Sequence, residues 1–334
     1  KQELSKLLYR LKTIMKYLIT GGAGFIGIKL AEELLKNKKN IVYILDNFSK
    51  NTGNKNLLDI LKNKNVKLIK RNLNDIENYL KIYNFDYIYH FAAILGVKKV
   101  MDNPFITLKE NIISTINLIN FSKKQKKLKK ICFTSTSEVY SYSLKKKLIQ
   151  YPTPENIDFL IPKDFNPRSS YLLSKIVGEY LLNYSKLNFI IFRPHNIFGP
   201  QMGFAHVIPQ LIKKILQSKK NKIIISNSNH KRTFCDIKFA IDLIVNISHK
   251  KNSRKEIYNI GSPEKDISIM KLARKIKKIL KSNKELISSN LKKDNSPEKR
   301  RPSMEKSHSY SKLTHNFDQK LKETVLWYKE YYTK

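Results

Sequence analysis

The sequence predicts an α/β fold in which a doubly wound parallel sheet is joined to a smaller C-terminal α/β domain. Apolar, β-branched runs alternate with helical segments over the first half of the chain, as in a parallel sheet covered by helices on both faces. Glycines or polar residues follow these runs where each strand would end. From Pro209 onward the alternation is less regular, which indicates the smaller domain.

The first strand runs directly into three glycines spaced three apart, Gly21, Gly24 and Gly27, and a helix is predicted over residues 28–36. Glycine lets the backbone approach a pyrophosphate, whose charge then lies against the N–H groups at the start of the helix. The order of strand, tight turn and helix therefore predicts a Rossmann-type dinucleotide site, with Phe25 and Ile26 in its turn.

The second predicted strand, residues 41–45, ends at Asp46, about 20 residues after the glycine turn, where an acidic side chain can bind a ribose. A carboxylate there accepts a hydrogen bond from a free 2′-hydroxyl and repels a 2′-phosphate, so NAD is favoured over NADP. The polar loop 47–53, which begins at Asn47, could close over the adenosine. Lys50 in this loop weakens the exclusion of NADP slightly.

Further strands are predicted over residues 66–70, 87–93 and 131–136, with a long helix over 107–122. In such sheets the ligand lies over the carboxyl ends of the strands. Asn72 and Leu73 follow the third strand, and Ala92 and Ala93 close the fourth. We therefore add these residues to the cofactor site.

The chain has 334 residues, 41% of them hydrophobic, which is enough for a full core, and a net charge of +38. Lysines cluster at residues 123–130, 145–147, 219–222 and 271–281. A nucleic-acid or acidic-membrane surface would explain them, and so would a Lys-, Asn- and Ile-rich compositional bias. We favour the bias, because no nucleic-acid module appears and no aromatic residues alternate with the lysines. We expect the charge to attract anionic substrates, with no specific nucleic acid or membrane as a partner.

The two cysteines, Cys132 and Cys235, lie in apolar runs without paired spacing, so neither a disulfide nor a metal site is expected. No apolar run approaches the length of a membrane span. We predict a cytoplasmic protein. Residues 1–15, with leucines at helical spacing, are interpreted as an N-terminal extension, although a targeting segment is an alternative.

Tyr171 and Lys175 lie four residues apart at the start of a helix predicted over 170–186, so both project from one face. An ammonium group beside a phenol favours the phenolate, which can remove a hydroxyl proton while hydride leaves the same carbon. A hydroxyl at the end of the fifth strand, Thr136, could hold the oxygen that reacts.

With these residues, and with further motifs along the chain, the sequence resembles the extended short-chain dehydrogenase/reductases, in particular the nucleotide-sugar epimerase/dehydratase branch. The resemblance covers nearly all of the chain from Met15 onward. It is carried by residues 20–27 (TGGAGFIG), 90–93 (HFAA), 135–140 (STSEVY), 171–175 (YLLSK), 193–200 (RPHNIFGP) and 258–261 (YNIG). It implies a tightly held NAD that oxidises a sugar of a nucleoside diphosphate at C4 and is later reduced again. It also implies an NAD-binding domain over 16–193, a mainly sugar-binding domain over 194–334 and a homodimer.

The resemblance implies catalytic roles for Thr136, Ser137, Glu138, Tyr171 and Lys175. Glu138 occupies the place of the acid in 4,6-dehydratases and UDP-glucuronate decarboxylases, and simple 4-epimerases usually lack it. Dehydratases typically carry Asp where this chain has Ser137, so the triplet is more similar to the decarboxylases.

Substrate binding is implied for Asn196, for Arg232 at the nucleotide phosphates, and for Arg300, an arginine that the decarboxylases use before a basic residue and proline. His195 stands where an aromatic or small residue is common, and we interpret it as a packed histidine. The segment after Arg232 also departs from the family pattern.

Epimerisation, dehydration and decarboxylation all remain open at this point. A catalytically silent NAD-binding sensor or scaffold is an alternative, although the presence of Thr136, Tyr171 and Lys175 argues against it. A binder of nucleic acids or anionic surfaces is a third possibility, supported only by the charge.

Overall fold

The computed structural model describes residues 14–49, 55–80, 84–251, 254–289 and 296–333. The chain forms two compact units that interleave along the sequence. The first comprises Lys1–Ser135, Phe165–Phe192 and Val245–Ile257, and the second Thr136–Asp164, Arg193–Ile244 and Tyr258–Lys334. The assignment of NAD to residues 16–193 and of the sugar to 194–334 stays a prediction. Within the described ranges, no helix combines the length and apolarity that crossing a bilayer requires.

A parallel sheet dominates the first unit and confirms the predicted α/β fold. Its strands are β1 (Lys16–Thr20), β2 (Ile41–Asp46), β3 (Val66–Lys70), β4 (Tyr87–His90), β5 (Lys130–Thr134), β6 (Phe189–Pro194) and β11 (Glu256–Ile260). Their order is β11-β6-β5-β4-β1-β2-β3, and neighbouring strands from β6 to β3 all pair in parallel. β6 and β11 each begin in the first unit and end in the second.

The helices of this unit are α1 (Phe25–Leu34), α2 (Lys55–Leu61), α3 (Ile76–Tyr79), α4 (Val97–Asp102), α5 (Pro104–Lys123) and α7 (Ser169–Tyr184). Apolar side chains of strands and helices form one buried core, including Leu18, Ile131, Leu118 and Leu182. The helices α5 and α7 pack against each other. This burial of apolar area is the main contribution to the stability of the unit.

The bounds of several elements differ from the prediction. The helix α1 begins at Phe25 instead of residue 28, because the extended backbone of Gly24 already forms its N-terminal boundary. β5 ends at Thr134 instead of residue 136, since Thr136 caps a short 3-10 helix, Ser137–Tyr140, by accepting from the N–H of Glu138. β4 likewise ends at His90.

The second unit contains short strands and more helices. The strands are β7 (Ile197–Phe198), β8 (Lys222–Ser226), β9 (Lys231–Arg232), β10 (Cys235–Asp236), β12 (Ile267–Ser268), β13 (Glu285–Ser289) and β14 (Lys299–Arg300), and they form the small sheets β10-β7, β12-β9-β14 and β13-β8. The helices are α6 (Ser141–Lys145), α8 (Val207–Gln217), α9 (Ile237–Ser248), which ends in the first unit, α10 (Ile269–Leu280) and α11 (Phe317–Thr333). α8, α10 and α11 pack together.

The composition of residues 297–302 and 306–312 predicts exposed loops, and this prediction is wrong in part. The first segment contains β14, and Arg300 within it is only 5% exposed. In the second, Ser307 is buried. Of the predicted N-terminal extension, residues 1–13 lie outside the described part of the chain, as do residues 50–53 of the loop after Asp46, with Lys50.

Candidate active site

The glycine turn after β1 is shaped for close backbone approach. Gly21 has a φ of +66°, and a Cβ there would lie 2.6 Å from the backbone nitrogen of Ala92. A Cβ on Gly27 would lie 2.7 Å from Gly22 Cα, so the turn and the first turn of α1 need glycine at both places. Gly24, at the N-terminus of α1, has no side chain to cap the helix, and a Cβ there would lie 3.1 Å from the carbonyl oxygen of Gly21. Phe25 and Ile26 are the first residues of that helix.

Asp46 ends β2 beside this turn. Its carboxylate accepts from the N–H of Ala23 at 3.1 Å and from the N–H of Phe48 at 2.8 Å. Each carboxylate oxygen retains lone pairs for a further donor, as a ribose hydroxyl would require. Asn47 is exposed, and its side chain accepts from the N–H of Ser49.

The remaining predicted cofactor residues lie beyond β3 and β4. Asn72 is exposed and accepts from the N–H of Asn74, while Leu73 is buried. Ala92 and Ala93 follow β4, and the N–H of Ala92 lies 3.4 Å from the hydroxyl oxygen of Thr20. These contacts belong to the same strand-end edge of the first unit, because Thr20 pairs with both Leu45 and His90.

Tyr171 and Lys175 both lie on α7, in the first unit. The Nζ atom of Lys175 donates to the backbone carbonyl of Thr134 at 2.7 Å and lies 5.9 Å from the centroid of the Tyr171 ring. Lys175 is only 4% exposed. Burial lowers its pKa to about 7, while the carboxylate of Glu179 acts in the opposite direction.

Thr136, Ser137 and Glu138 open the second unit in the short 3-10 helix. The Thr136 hydroxyl accepts from the N–H of Glu138 at 3.2 Å, so it both caps this helix and fixes the backbone of the acid. Ser137 is buried, whereas the side chain of Glu138 is 21% exposed.

Arg300 binds this segment from β14. Its guanidinium forms an ion pair with Glu138 Oε1 at 2.8 Å and donates to the hydroxyl of Ser141 at 3.0 Å and, more weakly, to that of Ser137 at 3.4 Å. The structure thus brings together three residues that the sequence analysis selected separately: Ser137, Glu138 and Arg300.

A second network holds the other end of the 3-10 helix. Arg193, 2% exposed, donates to the Tyr140 hydroxyl at 2.8 Å, and that hydroxyl donates to Asn259 Oδ1 at 2.9 Å. His195 Nε2 lies 3.2 Å from the same Asn259 oxygen. The pKa of His195 is lowered to about 3, mainly by burial and then by the nearby cation of Arg300.

Sequence reasoning included Tyr140, Arg193 and Asn259 in family motifs but gave them no role. Their role comes from contacts with each other, which join residues far apart in the chain. No local sequence spacing could have predicted these contacts. His195 packs on the Tyr140 ring, in agreement with its interpretation as a packed histidine.

The terminal nitrogens of Arg232 bind the chain's own acceptors: the carbonyls of Lys231, Pro297 and Glu298 and the hydroxyl of Ser296. The side-chain amide of Asn196 donates to the carbonyl of Thr233. A role for either residue in binding substrate stays a prediction.

The residues of the first unit fit a dinucleotide. The glycine positions leave a cradle against an uncapped helix N-terminus, which suits a pyrophosphate. The carboxylate of Asp46 suits a ribose with a free 2′-hydroxyl.

A sequence profile described as the NAD dependent epimerase/dehydratase family matches residues 17–261. The chain is 34% identical to a dTDP-D-glucose 4,6-dehydratase of Dictyostelium discoideum over 79% of its length, although this alignment spans only 62% of that relative. It is 35% identical to a UDP-N-acetyl-alpha-D-glucosaminuronate decarboxylase of Bacillus cytotoxicus over 78% of each chain.

Among solved structures, a UDP-glucuronic acid 4-epimerase from Bacillus cereus, in complex with UDP-glucuronic acid and NAD, superposes with a TM-score of 0.80. The two sequences are 25% identical, and the match covers 95% of this chain and 100% of the other.

Proposed function

Because the chain belongs to the NAD-dependent epimerase/dehydratase family, a family of enzymes on nucleotide sugars, we propose that it binds NAD and converts a nucleoside-diphosphate uronic acid. We further propose that the reaction passes through a 4-keto sugar and ends in decarboxylation at C5. The observation that supports decarboxylation is the ion pair between Glu138 and Arg300.

In the first step, Tyr171 acts as the general base on the C4 hydroxyl. The ammonium group of Lys175 on the same helix favours its phenolate. The Thr136 hydroxyl holds the sugar oxygen. Bound NAD would accept a hydride from C4 and return it later, so the overall reaction involves no net oxidation.

Once C4 is a ketone, a carboxylate on C5 is that of a β-keto acid. The electrons of the bond to the carboxyl carbon can move onto C5 and the C4 carbonyl, CO₂ leaves, and a proton then replaces it at C5. Arg300 and Glu138 suit this step, because the cation can orient a substrate carboxylate and Glu138 fixes the cation. Dehydration needs an acid for the departing C6 hydroxyl, and Ser137 stands where dehydratases carry Asp.

A simple 4-epimerase is the second candidate, since it needs only Thr136, Tyr171 and Lys175. The similarity to the UDP-glucuronic acid 4-epimerase structure favours this candidate. The substrate would then still be a nucleoside-diphosphate uronic acid.

The experiment incubates purified protein with UDP-glucuronate, UDP-N-acetylglucosaminuronate, UDP-glucose and dTDP-glucose and follows the product mass. Loss of CO₂ supports decarboxylation, loss of water indicates dehydration, and an unchanged mass with altered sugar NMR signals indicates epimerisation.

Variants then separate the steps. Glu138→Gln is nearly isosteric but has no charge with which to fix Arg300, and we expect it to form the 4-keto sugar while slowing product formation by about 10²-fold. Tyr171→Phe should form no 4-keto sugar. Glu323→Gln is the matched control, because its ion pair with Lys320 lies on the surface of α11. Normal turnover by Glu138→Gln would contradict the role proposed for Glu138 and, with an unchanged product mass, would favour the simple epimerase.

We also propose a homodimer, built through α5 and α7. Both helices present large exposed apolar or aromatic side chains, namely Phe105 (73% exposed), Ile116 (37%), Tyr180 (54%) and Tyr184 (73%). Two copies could bury these faces as a four-helix interface.

Cys132 and Cys235 are buried free thiols, in keeping with the cytoplasmic location that we predict.

A further inference from the structure

Phe133 and Thr134, the last two residues of β5, and Ser135 after them all contact α7. The Phe133 ring lies 4.8 Å from Lys175 Nζ, and a Cβ on Gly178 would lie 2.5 Å from the edge of that ring. The carbonyl of Thr134 accepts from Lys175 at 2.7 Å. The hydroxyl of Ser135 donates to Glu179 Oε1 at 2.5 Å.

Glu179 is an unusual residue to find in this position. It is 5% exposed, and carboxylates are almost never that deeply buried unless they are paired or hydrogen-bonded. The Ser135 that binds it is itself fixed, because its N–H donates to the carbonyl of Phe192 at 2.8 Å. The carboxylate is therefore held in place by the sheet, in addition to its own helix.

Lys175 precedes Glu179 by four residues, so the two side chains lie on one face of α7, one helical turn apart. The titratable groups that face Lys175 are Tyr171 and Glu179 on its own helix and His90 on β4. Burial, and then the charge of Lys175, lower the pKa of His90 to about 3, so this histidine is neutral near pH 7. Glu179 is the carboxyl group among these three, and it acts on the pKa of Lys175 in the direction opposite to burial.

We propose that Glu179 is a positioning residue that favours the ammonium form of Lys175 near neutral pH, with Ser135 holding the carboxylate in place. Burial alone drives a lysine towards its neutral form, and a neighbouring carboxylate opposes this. A neutral Lys175 would no longer favour the phenolate of Tyr171. The consequence for catalysis rests on the proposed function, whereas the charge of Lys175 does not.

The test is an NMR titration of protein labelled with ¹³C at the lysine side chains. Burial lowers the pKa of Lys175 to about 7, which sets its signal apart from those of exposed lysines, and Lys175→Met identifies it. In Glu179→Gln we expect the midpoint to move down by about one pH unit, the lower end of what a neighbouring opposite charge contributes. Ser135→Ala should move it in the same direction by less.

The matched control is Glu33→Gln, which removes one negative charge from the same unit, but from a residue of α1 that pairs with the exposed Lys36, and should leave the midpoint unchanged. An unchanged midpoint in Glu179→Gln would overturn the proposal. If Glu179→Gln fails to fold, Ser135→Ala decides in the same way.

The pH profile of kcat separates this proposal from the proposed function. We expect the limb on which activity falls with rising pH to move down together with the NMR midpoint. A midpoint that moves while the profile stays would leave Glu179 as the residue that sets the charge of Lys175, and would refute the catalytic role of that charge.

Discussion

His195 should give the stability of the protein a measurable dependence on pH. Its side chain is fully buried, its ring stacks on Tyr140 with the centroids 5.8 Å apart, and its Nδ1 atom has no hydrogen-bond partner among the described residues. Burial first, and then the charge of Arg300, lower its pKa to about 3. The folded protein therefore holds a neutral imidazole at mildly acidic pH, where the unfolded chain is protonated.

The sign and size follow from the two pKa values. Because the folded pKa lies below the unfolded value of 6.5, the contribution to stability is complete above pH 6.5 and is lost as the pH falls towards 3. At pH 5 an unfolded histidine is almost fully protonated and the buried one is not. Between pH 7 and pH 5 the free energy of unfolding should fall by about 2 kcal/mol on account of this residue.

The assay is urea unfolding of the unmodified protein and of His195→Phe at pH 7 and pH 5. Phenylalanine retains a ring against Tyr140 but does not titrate, and the lost contact with Asn259 costs the same at both pH values. We expect the difference between pH 7 and pH 5 to be smaller in the variant by about 2 kcal/mol. The exposed His308, changed to Phe, is the control. Equal pH dependence in His195→Phe and the unmodified protein would refute the reasoning.

Three further predictions concern the cofactor, the packing and the assembly. We expect Asp46 to accept a hydrogen bond from the ribose 2′-hydroxyl, so NAD should bind more tightly than NADP and Asp46→Ala should narrow the difference between the two affinities in calorimetry; equal affinities in the unmodified protein would be the opposing result. Gly178→Ala places a Cβ against the Phe133 ring and should lower the stability by about 1–3 kcal/mol in thermal unfolding, whereas an unchanged midpoint would show that the ring moves aside freely. Sedimentation should show a dimer at micromolar concentration that Phe105→Lys with Tyr180→Lys dissociates, while Tyr331→Lys, on the exposed surface of α11, has no effect; a monomeric unmodified protein would argue against the interface.

The fold could be predicted because its signals are local. The apolar run before Gly21 and the glycine spacing after it specify a strand, a turn and a helix within about a dozen residues. The ends of β4 and β5 were placed too late, because the apolar and β-branched residues that continue past His90 and Thr134 do not distinguish a strand from the extended backbone that follows it. The cap at Thr136 is a contact with Glu138, which the alternation of residues does not encode.

The sequence predicts candidate site residues only where they belong to a short motif. Tyr171 and Lys175 are selected by their spacing of four residues, and Glu179 continues that spacing by one more turn of α7. The composition around Arg300, rich in Pro, Ser, Glu and Lys, is typical of an exposed loop, whereas the structure buries this residue in β14. Its burial depends on Glu138, which lies 162 positions away in the chain, so the local composition contains no trace of it.

Arg232 is linked to Glu138 through strand pairing and side-chain hydrogen bonds. Register places it opposite Arg300 in the neighbouring strand, and its guanidinium binds acceptors in residues 296–298, just before β14. This contact holds the segment that carries Arg300, and Arg300 in turn holds Glu138. A change at Arg232 would therefore disturb Glu138 even without any contact to a phosphate. Loss of activity in such a variant supports phosphate binding only if the affinity for the bare nucleotide falls as well, because displacement of Glu138 alone lowers kcat and leaves nucleotide binding intact.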